Sequence, residues 1–270
     1  MYRNIIEGVR SLLKRFDIVV TRYSTLEQHK LELDEKLAND LKFLLGLPKN
    51  NAHKVLSLFK KSKSQIRQDL FVLSELDFKR CGFYVEFGAA NGVFLSNSYL
   101  LEKEFGWNGI LAEPARCWHK EIKENRIGAI IEYDCVWRDS GMTLTFNETK
   151  MPEYSTVDEF KSTDEHANLR NKGNTYRVKT ISLNDLLVKH NAPTKIDYLS
   201  IDTEGSEFEI LNNFDFDRYK ISIITCEHNF TPERENIHTL LSSKGYQRKF
   251  ENISQFEDWY VLTESAESSV

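Results

Sequence analysis

What is missing from this 270-residue sequence narrows its role first. It has no basic excess: 36 lysines and arginines stand against 41 aspartates and glutamates, a formal charge of −5, so nothing argues for a nucleic-acid partner. It has no C-x-x-C pair among Cys81, Cys117, Cys135 and Cys226, which leaves reduced thiols and no disulfide as the expectation. No apolar run approaches the length that spans a bilayer, and no cleavable leader precedes the fold, so a cytoplasmic location is expected. Also missing is the G-x-G-x-x-G of dinucleotide-binding folds. What is present is the balance of a globular protein, 40% hydrophobic and 29% charged, long enough for one α/β domain and an extension.

The most informative stretch runs from Tyr84 to Phe94, YVEFGAANGVF. It is apolar, then acidic, then a glycine turn, and so predicts a buried strand ending in a tight loop before a helix. The spacing Gly88-x-x-x-Gly92 has no middle glycine, and Glu86 would repel a pyrophosphate. A carboxylate there suits a cationic group, such as the ammonium and sulfonium of S-adenosylmethionine. Side chains at Gly88 or Gly92 would keep such a ligand off the backbone. The following strand, Gly109 to Ala112, ends in Glu113-Pro114, where a carboxylate can accept from both hydroxyls of a ribose.

The rest of the chain falls into order around this loop. Ile5, Ile6, Val9, Leu12, Leu13 and Phe16 repeat at helical spacing opposite Arg3, Arg10, Lys14 and Arg15. A second helical run, Leu26 to Leu45, stops at Gly46-Leu47-Pro48. Residues 1–60 thus read as a helical extension, a surface for a partner or a second copy, and residues 61–270 as the functional domain. Ser64 is the expected N-cap of the next helix, with Gln68 and Asp69 expected on its exposed side. Ile127 to Tyr133 predicts a third strand ending at Asp134-Cys135, and Asp134 is placed to read an adenine amine. Residues 138–175 form a polar insertion of weak periodicity, in which Met142 to Phe146 alternates like a strand and the rest is expected to be a lid or binding loop. Tyr154, Ser155, His166 and Arg170 are its candidate substrate contacts. Ser182 caps a helix from Leu183 to His190. The run Ile196 to Asp202 predicts a buried strand carrying Asp202 and Glu204 to its C-terminal edge, where ligands sit in open α/β sheets. Glu207 and Glu209 fall on the next helix, exposed or near its start. Ile221 to Cys226 predicts the following strand, ending in Glu227-His228-Asn229. His228 is the histidine best placed for a general base. Two final strands, near 245–250 and 256–262, fit an antiparallel hairpin, and residues 264–270 a frayed tail.

The wording of these segments resembles the FkbM-type methyltransferases. The likeness rests on Ser64-Gln65 with Gln68-Asp69, VEFGAANG at 85–92, Ser96-Asn97, GWNGI at 106–110, Glu113-Pro114, DYLSIDTEG at 197–205, Glu227-His228-Asn229 and Asp258-Trp259-Tyr260. The resemblance implies a class I methyltransferase, Rossmann-like α/β fold: a mostly parallel seven-stranded sheet with a C-terminal antiparallel hairpin. It implies S-adenosylmethionine as cofactor, bound by Glu86, Gly88, Ala89, Asn91, Gly92, Asn97, Glu113, Pro114, Asp134, Cys135 and Asp202. It further implies O-methylation of a saccharide or glycosylated small molecule. On this reading His228 is the base, Asp202 or Glu204 its orienter or rival, and Tyr154, Ser155, Glu204 and Asn229 contact substrate. A variant places a divalent metal on Asp202, Glu227 and His228. The rivals from other classes are a non-catalytic, cofactor-binding partner of a glycosyltransferase and a nicotinamide-dependent oxidoreductase.

Overall fold

The computed structural model describes residues 23–160 and 167–263. The helix expected over residues 2–16, His166 and the tail after 263 lie outside them. The chain divides into two compact units, Met1–Leu45 and Gly46–Val270. In the first, helix α1 (Tyr23–Gly46) leaves Leu31, Leu33, Leu37 and Leu41 exposed. Helix α2 (Lys49–Leu58), assigned to the extension from sequence, belongs to the second unit. No described helix is long and apolar enough to cross a membrane.

The second unit is built on β1 (Phe83–Phe87), β2 (Asn108–Ala112), β3 (Ile130–Glu132), β8 (Lys195–Ile201), β9 (Lys220–Glu227), β10 (Tyr246–Lys249) and β11 (Glu257–Leu262). Their order across the sheet is β10-β11-β9-β8-β1-β2-β3. The five strands from β3 to β9 run parallel, and β11 returns antiparallel to both β9 and β10. This is the class I methyltransferase arrangement the resemblance implied. Strands β1, β8 and β9 are near-continuous apolar runs because helices cover both faces of a parallel sheet. Val85, Ile110, Leu199, Ile201 and Ile224 join Leu186, Leu187 and Leu211 in the main core. The connecting helices obey local chemistry: α4 (Tyr99–Phe105) stops at Gly106 with φ +69°. Ser182 begins α7 (Leu183–Lys189) by accepting from the Asp185 amide at 3.1 Å.

Two sequence expectations are corrected here. Helix α3 (Gln68–Glu75) does not start at Ser64, because Arg67 at its N-terminus has φ +78° and breaks the helical path. Ser64 instead bridges to Leu95, and its hydroxyl donates to Asp69 at 2.6 Å. Gln68 and Asp69 are buried rather than exposed, Gln68 through a 2.8 Å bond to Glu257. Glu207 does fall at the start of the next helix, α8 (Glu207–Asn212), where it is buried and accepts from the Thr203 and Gly205 amides.

The insertion is more regular than its composition suggested. Strands β4 (Cys135–Trp137), β5 (Thr143–Glu148), β6 (Thr156–Val157) and β7 (Asn174–Ser182) form a second sheet in the order β4-β7-β5-β6. Its core gathers Ala115, Cys135, Trp137, Phe146, Val157 and Val178. The short helix α6 (Ala167–Arg170) precedes β7.

Candidate active site

The main sheet reverses its winding between β1 and β8, and the C-terminal ends of these strands open on a cleft. Two walls come from the strand ends and the loops after them, through Glu86, Gly88, Asn97, Glu113 and Asp202. The second sheet supplies a third, through Phe146, Pro152, Glu153, Ser155 and Val157.

The loop after β1 is held by its carboxylates. Glu86 accepts from the Asn97 amide at 2.7 Å and the Ser96 hydroxyl at 3.0 Å, and also from the Ser98 hydroxyl. Arg126 ties the same turn, donating to Ser96 at 3.1 Å, Ser98 at 2.9 Å and the Gly92 carbonyl at 2.9 Å. Asn97 donates its amide to Ser200 at 2.9 Å, while its buried Oδ1 has no partner. Glu113 accepts from the Ala90 amide and the Ala115 amide, each at 2.7 Å. Burial pushes its carboxyl up to about 8, against the pull of those two amides. Asn91 closes a turn, accepting from the Val93 and Phe94 amides at 3.0 and 2.8 Å.

The glycines serve a purpose the sequence reading missed. A Cβ on Gly88, where φ is +69°, would stand 2.0 Å from the Asp202 carbonyl oxygen. One on Gly92 would stand 2.6 Å from Cγ of Arg126. Both positions admit the chain's own neighbours, and Gly88 also lines the cleft.

At the end of β8, Asp202 lines the cleft and lies against Glu227, the last residue of β9. Burial first, then neighbouring carboxylates, raise the pKa of both, so the pair does not carry two full charges at neutral pH. One oxygen from each of Asp202, Glu204 and Glu227 lies within 4.8 Å of the others. Glu204, with φ +60°, accepts from Arg170 at 2.7 Å and Asn229 at 3.2 Å.

Other expected residues sit elsewhere. The His228 ring is buried and turned to β11: Nδ1 accepts from the Phe230 amide at 3.0 Å, and Nε2 lies 3.8 Å from Asp258. Burial lowers its pKa, although Asp258 opposes the shift. With Glu227 and Asn229 it borders a smaller recess, not the cleft. Asp134 is outside the lining, whereas Cys135 and Val136 are in it. Ser155 lines the cleft, but Tyr154 meets Arg170 through its carbonyl at 2.9 Å. Sequence reasoning did not single out Ser96, Ser98 and Arg126 as supports of Glu86, because the bonds that join them cross from separate segments.

A family model described as the methyltransferase FkbM domain matches residues 86–264. Curated proteins return no match. Among solved structures, an O-methyltransferase from Bacillus cereus in complex with SAH is 13% identical over 95% of this chain and 97% of its own, with TM-score 0.38. A TehB-like SAM-dependent methyltransferase from Corynebacterium glutamicum is 9% identical over 80% of this chain and 97% of its own, at 0.37. A precorrin-6y C5,15-methyltransferase from Geobacter metallireducens is 12% identical over 67% and 71%, at 0.35.

Proposed function

The chain belongs to the FkbM methyltransferase family, and from that premise we propose that it moves a methyl group from S-adenosylmethionine to a hydroxyl oxygen of a saccharide or glycosylated small molecule. One observation carries the reading: Glu86, Asn97, Glu113, Asp202 and Glu204 all open on a single cleft at the sheet's reversal point. The residues fit the cofactor. Glu113 spends one bond per oxygen on backbone amides, which leaves acceptor sites for two ribose hydroxyls. The unpartnered Oδ1 of Asn97 is an acceptor suited to an ammonium. Pro114, Cys135 and Val136 offer an apolar wall to a base. Bound there, S-adenosylmethionine supplies a methyl group already activated by its sulfonium charge.

The chain's part is to orient the acceptor and take its proton. We assign the proton to Asp202 rather than His228, since Asp202 borders the cleft and the His228 ring does not. Glu204 and Ser155 serve as acceptors for neighbouring hydroxyls of the substrate. Titration calorimetry with SAH tests the cofactor, and mass spectrometry of a glycan panel incubated with labelled methyl donor tests the acceptor. Asp202→Asn is expected to lower transfer at least about 100-fold while SAH affinity stays close to wild type. Absence of heat with SAH on folded protein would sink the proposal, and binding without transfer across the panel would favour a non-catalytic partner.

The carboxylate cluster supports a second reading, in which a divalent cation sits on Asp202, Glu204 and Glu227 and lowers the pKa of a bound hydroxyl. Transfer that survives exhaustive chelation excludes it.

A further inference from the structure

Arg170 lies in the polar insertion, yet it is 1% exposed. Its Nη2 donates to the Glu204 carboxylate at 2.7 Å, its Nε to the Tyr154 carbonyl at 2.9 Å and its Nη1 to the Phe160 carbonyl at 3.4 Å. Two further residues of the insertion reach the same turn. The Thr156 hydroxyl donates to the Glu204 carbonyl at 2.9 Å and approaches that of Thr203 at 3.3 Å. Phe160 packs so closely on Gly205 that a Cβ there would meet its ring at 3.0 Å. The turn they grip is costly: Glu204 has φ +60° and Gly205 +123°, and a non-glycine residue holds the left-handed region only when its surroundings enforce it. A carboxylate as buried as that of Glu204 also needs an opposite charge beside it.

We propose that Arg170 is a positioning residue: it fixes the Glu204 carboxylate at the cleft wall and so makes the order of the insertion a condition for a correctly built acceptor side. The guanidinium therefore acts through Glu204 rather than on substrate, which replaces its sequence-based assignment as a substrate contact. Arginine suits the task because its planar fork bonds a carboxylate and carbonyls at once, whereas lysine keeps only the charge. The proposal rests on the methyl-transfer reading only in calling Glu204 part of the acceptor side; the geometric claim can fail or hold independently.

Hydrogen exchange read by mass spectrometry on the full chain tests it, with SAH calorimetry run alongside. Arg170→Ala is expected to speed exchange about tenfold or more in peptides covering 203–207 and 154–160. Peptides from β1 to α4 and the SAH affinity should remain as in wild type. Arg170→Lys should give an intermediate effect confined to the same peptides, and it carries the test if the alanine variant fails to fold. Wherever transfer is detected, kcat should fall in Arg170→Ala with SAH affinity unchanged, and Arg170→Lys should restore part of it. Unchanged exchange at 203–207 in Arg170→Ala overturns the proposal. So does a loss of protection spread evenly over the whole unit in Arg170→Lys, which would mark a purely structural role. If wild type binds no SAH, the methyl-transfer reading fails while the exchange comparison still decides the role of Arg170.

Discussion

Gly88 and Glu113 show how much a single position can carry. Gly88 combines a positive φ with a neighbour 2.0 Å from any added Cβ, and that neighbour is backbone, which cannot turn aside. Gly88→Ala is therefore expected to cost about 3 kcal/mol or more, measured by urea unfolding. Glu113 makes a pH prediction. Its folded pKa, about 8, lies above the ordinary 4.5, so between those values the folded state binds more protons than the unfolded. Stability then falls as pH rises from about 4.5 to about 8. Glu113→Gln should flatten part of that slope, which urea titrations at a series of pH values would show. Both residues were legible in the sequence, Gly88 as a turn and Glu113 as a strand-end acid. Their partners were not: nothing in the local pattern says that a carbonyl 114 positions later presses on Gly88. His228 shows the opposite failure, a residue correctly placed at a strand end whose ring the fold then turns to Asp258.

The turn at 96–98, between β1 and α4, is held as one element by Glu86 and Arg126. Glu86→Ala would leave an amide and two hydroxyls short of their acceptor and remove a negative charge that faces the buried Arg126 guanidinium. The expected loss is about 3–5 kcal/mol, seen as a lower urea midpoint, together with weaker SAH binding by calorimetry. Periodicity revealed β1, β8 and β9 because a strand buried on both faces is written as an apolar run. It hid β6 and β7, which belong to a small sheet with polar residues on the solvent side. Within residues 138–175 only the alternation from Met142 to Phe146 was legible, and β5 bears it out, its antiparallel ladder running from Thr143 to Glu148.

For the molecule as a whole, the sheet order could be anticipated because strands alternating with helices leave few allowed topologies. The convergence of acids at the cleft could not, since Asp202, Glu227 and Glu257 come from three separate segments. If the cleft binds cofactor, ligand linkage gives a global signal. SAH at 100 times its Kd should stabilise the fold by about 2.7 kcal/mol. For a chain of this size that raises Tm by roughly 5–10 °C, readable by differential scanning fluorimetry, and Glu113→Ala should abolish most of the shift.

The bond from Gln68 to Glu257 spans 189 positions. Because β11 is inserted between β9 and β10, the floor beneath Asp202 is assembled from nearly the first and nearly the last residues of the larger unit. The residues that line the cleft end at Ser206, so a polypeptide still emerging from the ribosome holds the whole lining before β11 follows. Only the brace from Gln68 to Glu257 waits for that strand.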